Sequence, residues 1–107
     1  MRGENNKNKL IIDDNYVISR RKGNGVLTRK VWVDVAGNIA RYALAYINLN
    51  ITTTDSGRVL GYDNAHGHHH KHVMGKIYPI RFHSFEDIEN RFEKEFEELH
   101  NEYTKKR

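Results

Sequence analysis

The stretch Ser84-Phe85-Glu86-Asp87-Ile88-Glu89-Asn90-Arg91-Phe92-Glu93-Lys94-Glu95-Phe96-Glu97-Glu98-Leu99 decides the fold. Its large apolar residues, Phe85, Ile88, Phe92, Phe96 and Leu99, continued by Tyr103, are spaced 3, 4, 4, 3 and 4 apart. That spacing lays one unbroken apolar stripe along an α-helix. Ser84 supplies an N-cap, and Asp87 three residues on makes a capping-box variant. A helix over 84–102 follows. Each large apolar side chain is worth about 1.5–3 kcal/mol, as an upper estimate, when it leaves water. In so short a chain the stripe must therefore dock on whatever precedes it, and it serves as core, not as a cofactor box.

What precedes it is strand-like. Over Val26–Val35, Val31, Val33 and Val35 share one side and Lys30, Trp32 and Asp34 the other. Over Ile39–Ile51, Tyr42, Leu44 and Tyr46 oppose Ala43, Ala45, Ile47 and Leu49. A period of two with one apolar side describes an antiparallel sheet covered on one face. Leu10–Ile18 and Arg58–Tyr62 give two further strands, and Trp32 is either a structural aromatic or one that stacks on bases. Turns fall at Lys22-Gly23-Asn24-Gly25, at Ala36-Gly37-Asn38 and at Thr54-Asp55-Ser56-Gly57; Asn-Gly supplies the positive φ of a tight hairpin. Pro79 has no amide hydrogen, so Lys76–Phe82 is an edge strand or a loop. The expected fold is α+β, an antiparallel β-meander of about four to five strands packed by one C-terminal amphipathic helix. It forms a single domain over 10–104 behind a flexible arm at 1–9.

Composition narrows the classes. The chain has 107 residues, 30% of them charged and 10% aromatic, which describes one folded domain and not a disordered tail. It has no cysteine, which excludes disulfides, thiolate zinc sites and a Cys nucleophile. No apolar run approaches the roughly 20 residues that span a bilayer, and no signal-like stretch follows the first lysines. A cytoplasmic protein without membrane contact is expected. Net charge is +4 and unevenly spread. Residues 1–41 carry nine Lys/Arg against four Asp/Glu, whereas residues 84–102 carry two against eight. A basic sheet beside an acidic helix points to a polyanion such as RNA, or to a merely solvated surface.

The chemistry concentrates in Tyr62-Asp63-Asn64-Ala65-His66-Gly67-His68-His69-His70-Lys71-His72, where five of the last seven residues are histidine. If extended, this segment lines His66, His68, His70 and His72 along one face, unless Gly67 interrupts it. Three uses fit. In acid–base catalysis, His70 and His72 act as base and acid, Asp63 orients a ring, and His66 and His69 are further candidates. Asn64 and Lys71 then contact phosphate, with Tyr62 beside them, and Arg20, Arg21, Lys22, Arg29 and Lys30 extend the nucleic-acid surface. Such a set suffices for metal-independent RNA cleavage with the 2′-hydroxyl as nucleophile. In the second use, His68, His70 and His72, or imidazoles with Asp63, hold a divalent metal such as zinc. In the third, the segment contacts nucleic acid without chemistry. A solvated histidine-rich loop with no role is the plain alternative. His83, next to the helix cap, is read as structural, and His100 suits the negative end of the helix dipole.

Tyr62-Asp63-Asn64-Ala65, followed closely by His70-x-His72, with Ser84-Phe85-Glu86-Asp87 opening a helix, resembles the TumE-like toxin family of prokaryotic toxin–antitoxin systems. The likeness extends to Leu10–Val17 and the final helix. His66-Gly67-His68 fills a region of variable length between the two halves of the motif, so His66 and His68 carry less weight than His70 and His72. The resemblance implies a strand-rich N-terminal half, a type II toxin encoded beside a protein antitoxin, and a nucleic-acid target. Combined with the histidine chemistry, the expectation is an endoribonuclease toxin with RNA and an antitoxin as partners; a regulatory or binding module, a metal-binding protein and a homo-oligomer remain open.

Overall fold

Six strands, β1 (Lys9–Ile18), β2 (Gly25–Val33), β3 (Ile39–Ile47), β4 (Arg58–Asp63), β5 (His70–Val73) and β6 (Lys76–Pro79), precede one helix, α1 (Phe85–Thr104), in the computed structural model, which describes residues 7–105. The fold is α+β. The strands form one antiparallel sheet in simple sequence order. Six strands stand where four to five were expected, because the histidine segment itself supplies β5 and Lys76–Pro79 supplies β6. Met74 and Gly75, with φ of 46° and 92°, turn β5 back into β6 in two residues. Pro79 ends β6 at the edge of the sheet. Of the arm expected over 1–9, residues 1–6 lie outside the described residues, and Lys9 already belongs to β1.

Alternation divides the sheet cleanly. Val31, Tyr42, Leu44, Tyr46, Leu60 and Tyr62 are at most 2% exposed and form the inner face with Ile88 of α1. Phe85, Phe92, Phe96 and Leu99 pack against them. Rings meet edge-on, Tyr46 on Phe96 at 4.7 Å and Tyr62 on Phe92 at 6.3 Å between centroids. The Ser84 hydroxyl accepts from the Asp87 amide at 3.0 Å, so the cap starts α1 where its signature lies. No helix among the described residues is long and apolar enough to cross a membrane.

The opposite face carries no helix among the described residues. The strand register sets its side chains in rows. One row runs Asp13, Lys30, Ala43, Asp63, His70, Pro79, and the next Asn15, Thr28, Ala45, Gly61, His72, Ile77.

The β1–β2 connection is wider than a two-residue hairpin. A 3-10 turn at Arg20–Lys22 leads into Gly23 and Asn24, both at positive φ. A Cβ at Gly23 would lie 2.6 Å from the His100 ring, so glycine lets the last turns of α1 close on this loop. There His100 Nε2 donates to the Lys22 carbonyl at 2.8 Å, and Nδ1 meets the Tyr46 hydroxyl at 2.5 Å. Asn48, 1% exposed, donates to Gly23 O, Asn24 O and the Tyr46 hydroxyl, each at 3.0 Å.

Ile88, with 0% of its surface exposed, is the deepest helical contact. Ile88→Ala is expected to destabilise the protein by about 2–5 kcal/mol, and Phe92→Ala, at a partly exposed position, by an amount at the low end of the 3–5 kcal/mol usual for phenylalanine. Denaturant unfolding measures both; an Ile88→Ala variant as stable as the parent would contradict the docking of α1.

Candidate active site

Asp63 ends β4 and His70 begins β5, and the two are direct cross-strand partners. His72 lies two residues on and so shares their face. It pairs across the ladder with Gly61, which has no side chain to fill the intervening space. The three functional groups converge. His70 Nε2 lies 3.2 Å from Asp63 Oδ1, and His72 Nε2 lies 2.9 Å from Asp63 Oδ2. The two imidazoles meet at 5.0 Å between centroids, inclined at 68°. Asp63 Oδ1 also accepts from the Ala65 amide at 3.0 Å, which fixes the carboxylate. His72 is 8% exposed, so the carboxylate and rings are shielded though they lie on the helix-free face.

With both Nε2 atoms committed to one carboxylate, the Nδ1 atom of each ring makes no hydrogen bond among the described residues. Two rings oriented by a carboxylate, each keeping an unengaged nitrogen, can exchange protons with a bound substrate. The same three residues each offer one donor atom within 4.8 Å of the others, a spacing that also suits a divalent transition metal.

Alternation separates residues that the sequence groups together. Tyr62 and Lys71 lie on the inner face, where the Tyr62 hydroxyl donates to Glu95 at 2.7 Å and Lys71 pairs with Glu95 at 3.3 Å. Asn64 extends the ladder: its side-chain oxygen accepts from the Tyr42 amide at 3.0 Å and its amide donates to the Ala40 carbonyl at 3.2 Å. Neither Asn64 nor Lys71 is thereby presented to phosphate. His69 also turns inward, stacked on Phe82 at 4.1 Å and hydrogen-bonded to the Tyr42 hydroxyl at 3.0 Å. His66, at φ 62° in a 3-10 turn, and His68 are exposed, and neither joins the cluster. The metal-competent set is accordingly Asp63, His70 and His72, without His68.

The basic residues divide as well. Arg29 faces α1 and is held between Asp14 at 3.1 Å and Glu89 at 2.6 Å. Arg20, Arg21 and Lys22 line a cleft beside the C-terminal end of α1, at the far end of β1 and β2 from Asp63. Lys30 lies on the open face, in the row of Asp63 and His70. Two arginines that sequence reasoning passed over share that face. Arg58 runs along Gly61, so that a Cβ there would lie 2.9 Å from its Cδ, and is anchored by Asp55 at 2.8 Å. Arg41 sits over Trp32, 5.0 Å from the ring centroid. The signal for Arg41 was present, since it alternates with Tyr42, Leu44 and Tyr46 and so shares the side of Ala43 and Ala45.

Burial dominates the titration of the inner face. It raises the Tyr42 hydroxyl to about 12, helped by Asp63, and raises Tyr46 and Tyr62 also. It lowers His69 below the ordinary imidazole value of 6.5, with neighbouring His70 as the second cause. In the unfolded chain His69 is released from burial and binds a proton more readily than in the fold. Stability contributed by neutral His69 is therefore complete above pH 6.5 and is lost as the pH falls from that value toward the lower folded one. Unfolding curves across this range should weaken toward acid, and His69→Gln should flatten part of the slope; an unchanged slope would assign the effect to another group.

Comparison with family models, with curated proteins and with solved structures returns no match for this chain.

Proposed function

We propose that this protein is the toxin of a type II toxin–antitoxin pair and acts as a metal-independent endoribonuclease at Asp63, His70 and His72. One observation carries the reading: a single carboxylate bridges the Nε2 atoms of two imidazoles on the helix-free face of the sheet, at 3.2 and 2.9 Å. The resemblance of Tyr62-Asp63-Asn64-Ala65 and His70-x-His72 to the TumE-like toxins supplies the biological setting. Within that motif Asp63, His70 and His72 carry the chemistry, while Tyr62 and Asn64 hold the strands that present it.

In the proposed reaction one imidazole takes the proton of a ribose 2′-hydroxyl, and the 2′-oxygen attacks the adjacent phosphorus. The other imidazole gives its proton to the departing 5′-oxygen. The products are a 2′,3′-cyclic phosphate and a 5′-hydroxyl, and the proton inventory balances with one ring neutral and one charged at the start. Asp63 keeps both rings in register and offsets the charge on whichever is protonated. The antitoxin neutralises the toxin by covering the same face.

A second reading rests on the 4.8 Å convergence of three donors, with a divalent metal held by Asp63, His70 and His72. Chelator separates the two. Purified protein should cleave RNA in excess chelator, and the rate should rise and fall with pH because one ring must be neutral and one charged. His70→Ala and His72→Ala should each lower the rate at least 100-fold, the usual yield of a general acid or base, and should relieve growth arrest on expression without antitoxin. Cleavage that vanishes in chelator and returns with one divalent ion would transfer the site to the metal reading. Folded His70→Ala protein that remains toxic would remove the catalytic one.

A further inference from the structure

We propose that Trp32 and Arg41 form a stacking subsite for an unpaired base of the RNA, so that the substrate is single-stranded and crosses the open face toward His70 and His72. The inference rests on the cleavage reading of that face. Trp32 follows Val31, which is 1% exposed beneath α1, so alternation turns the indole to the helix-free side. It is half-buried there and stands outside the apolar cluster beneath α1. Its cross-strand partner is Arg41, whose guanidinium lies 5.0 Å from the indole centroid. Arg41 is exposed and makes no ion pair among the described residues. A half-buried indole with an exposed guanidinium over it offers a planar, cationic surface, on which bases of any sequence stack.

The path from that surface to the histidines is low and short. Ala43 and Ala45 in the strip between them raise no side chain beyond a methyl group, and the Arg58 side chain lies over Gly61 beside them. Two strand spacings and a two-residue step along a strand place Trp32 about 12 Å from Asp63, a span that a short oligonucleotide covers. Lys30 borders the strip, two residues from Trp32 on the same face, with Asp13 as its neighbour on β1. Arg58 borders the other side, partly neutralised by Asp55. The helix side carries eight Asp and Glu between residues 84 and 102 and repels a phosphate backbone. A duplex keeps its base faces stacked on one another and has none to offer the indole.

Trp32 is the single tryptophan of the chain, so its fluorescence reports the subsite directly. A single-stranded oligonucleotide with 2′-deoxy sugars, which cannot be cut, is the probe, with the same strand in a duplex as control. The single strand should quench the emission of the full chain and of His70→Ala, and the duplex should not. Arg41→Ala should raise KM for single-stranded RNA about tenfold with kcat unchanged, within the range of one lost base stack. RNA cleavage without quenching, and with KM unaffected by Arg41→Ala, would overturn the subsite and leave the cleavage site standing. Quenching by duplex equal to that by single strand would overturn the single-strand assignment. Quenching by the single strand in a protein that cuts no RNA would uphold the subsite and remove the catalytic reading instead.

Discussion

The docking of α1 on Tyr42, Leu44, Tyr46 and Tyr62 fixes which face of the sheet is dry, and every other placement follows from it. Side chains alternate, so burying Tyr62 commits Asp63 to the opposite face and burying Tyr42 commits Ala43 there. A one-residue slip of β4 would put a carboxylate into the core and an aromatic ring into water. Three inner tyrosines tighten this choice, because each ring packs in the core while its hydroxyl finds a specific partner. Tyr62 donates to Glu95, Tyr46 meets His100, and Tyr42 meets His69. A buried hydroxyl left unpaired costs about 1–3 kcal/mol, so the bonds to Glu95 and His100 select one register of helix on sheet, and the bond to His69 ties the segment before β5 to β3.

The site inherits its rigidity from the same register. Asp63 is held by the Ala65 amide and by two imidazoles, and it lies opposite His70 on a paired strand and not on a loop. Groups on paired strands do not need to be gathered by substrate, which lowers the entropic cost of reaching the reactive arrangement. Partial burial makes a polar group left unpaired there costly, so the three groups hold one another in place. Gly61 and Arg58 complete the surroundings: the glycine opens room in the His72 row, and the arginine stem lies along it.

Much of the fold was legible in the sequence. The helix, its Ser84 cap, the order of the first four strands and the inner face of β3 follow from spacing alone. β5 and the turn into β6 were not legible, because histidine has no strong strand preference and Met74 at positive φ carries no turn signature. Of the site, Asp63, His70 and His72 were legible together. Their separation from Tyr62, Asn64, Lys71 and His69 was not, because density of functional residues conceals the alternation that divides them between two faces. Once the segment is known to be strand from His70 onward, even and odd positions part at once. Arg29 misled for a related reason: composition counts it among the basic residues of the sheet, while the fold spends its charge on Asp14 and Glu89. Arg41 and Arg58 passed unnoticed because isolated arginines carry no motif, and only the strand register shows that they share the face of the histidines.

The central claim is that two imidazoles sharing one carboxylate move the protons of an RNA transesterification. End-group analysis of RNA cut by the purified protein in excess chelator tests it most directly. Proton transfer by His70 and His72 predicts 2′,3′-cyclic phosphate and 5′-hydroxyl ends, and no cut at a position carrying a 2′-deoxy sugar. Ends bearing 3′-hydroxyl and 5′-phosphate, or cutting at the 2′-deoxy position, would require an activated water and would contradict it.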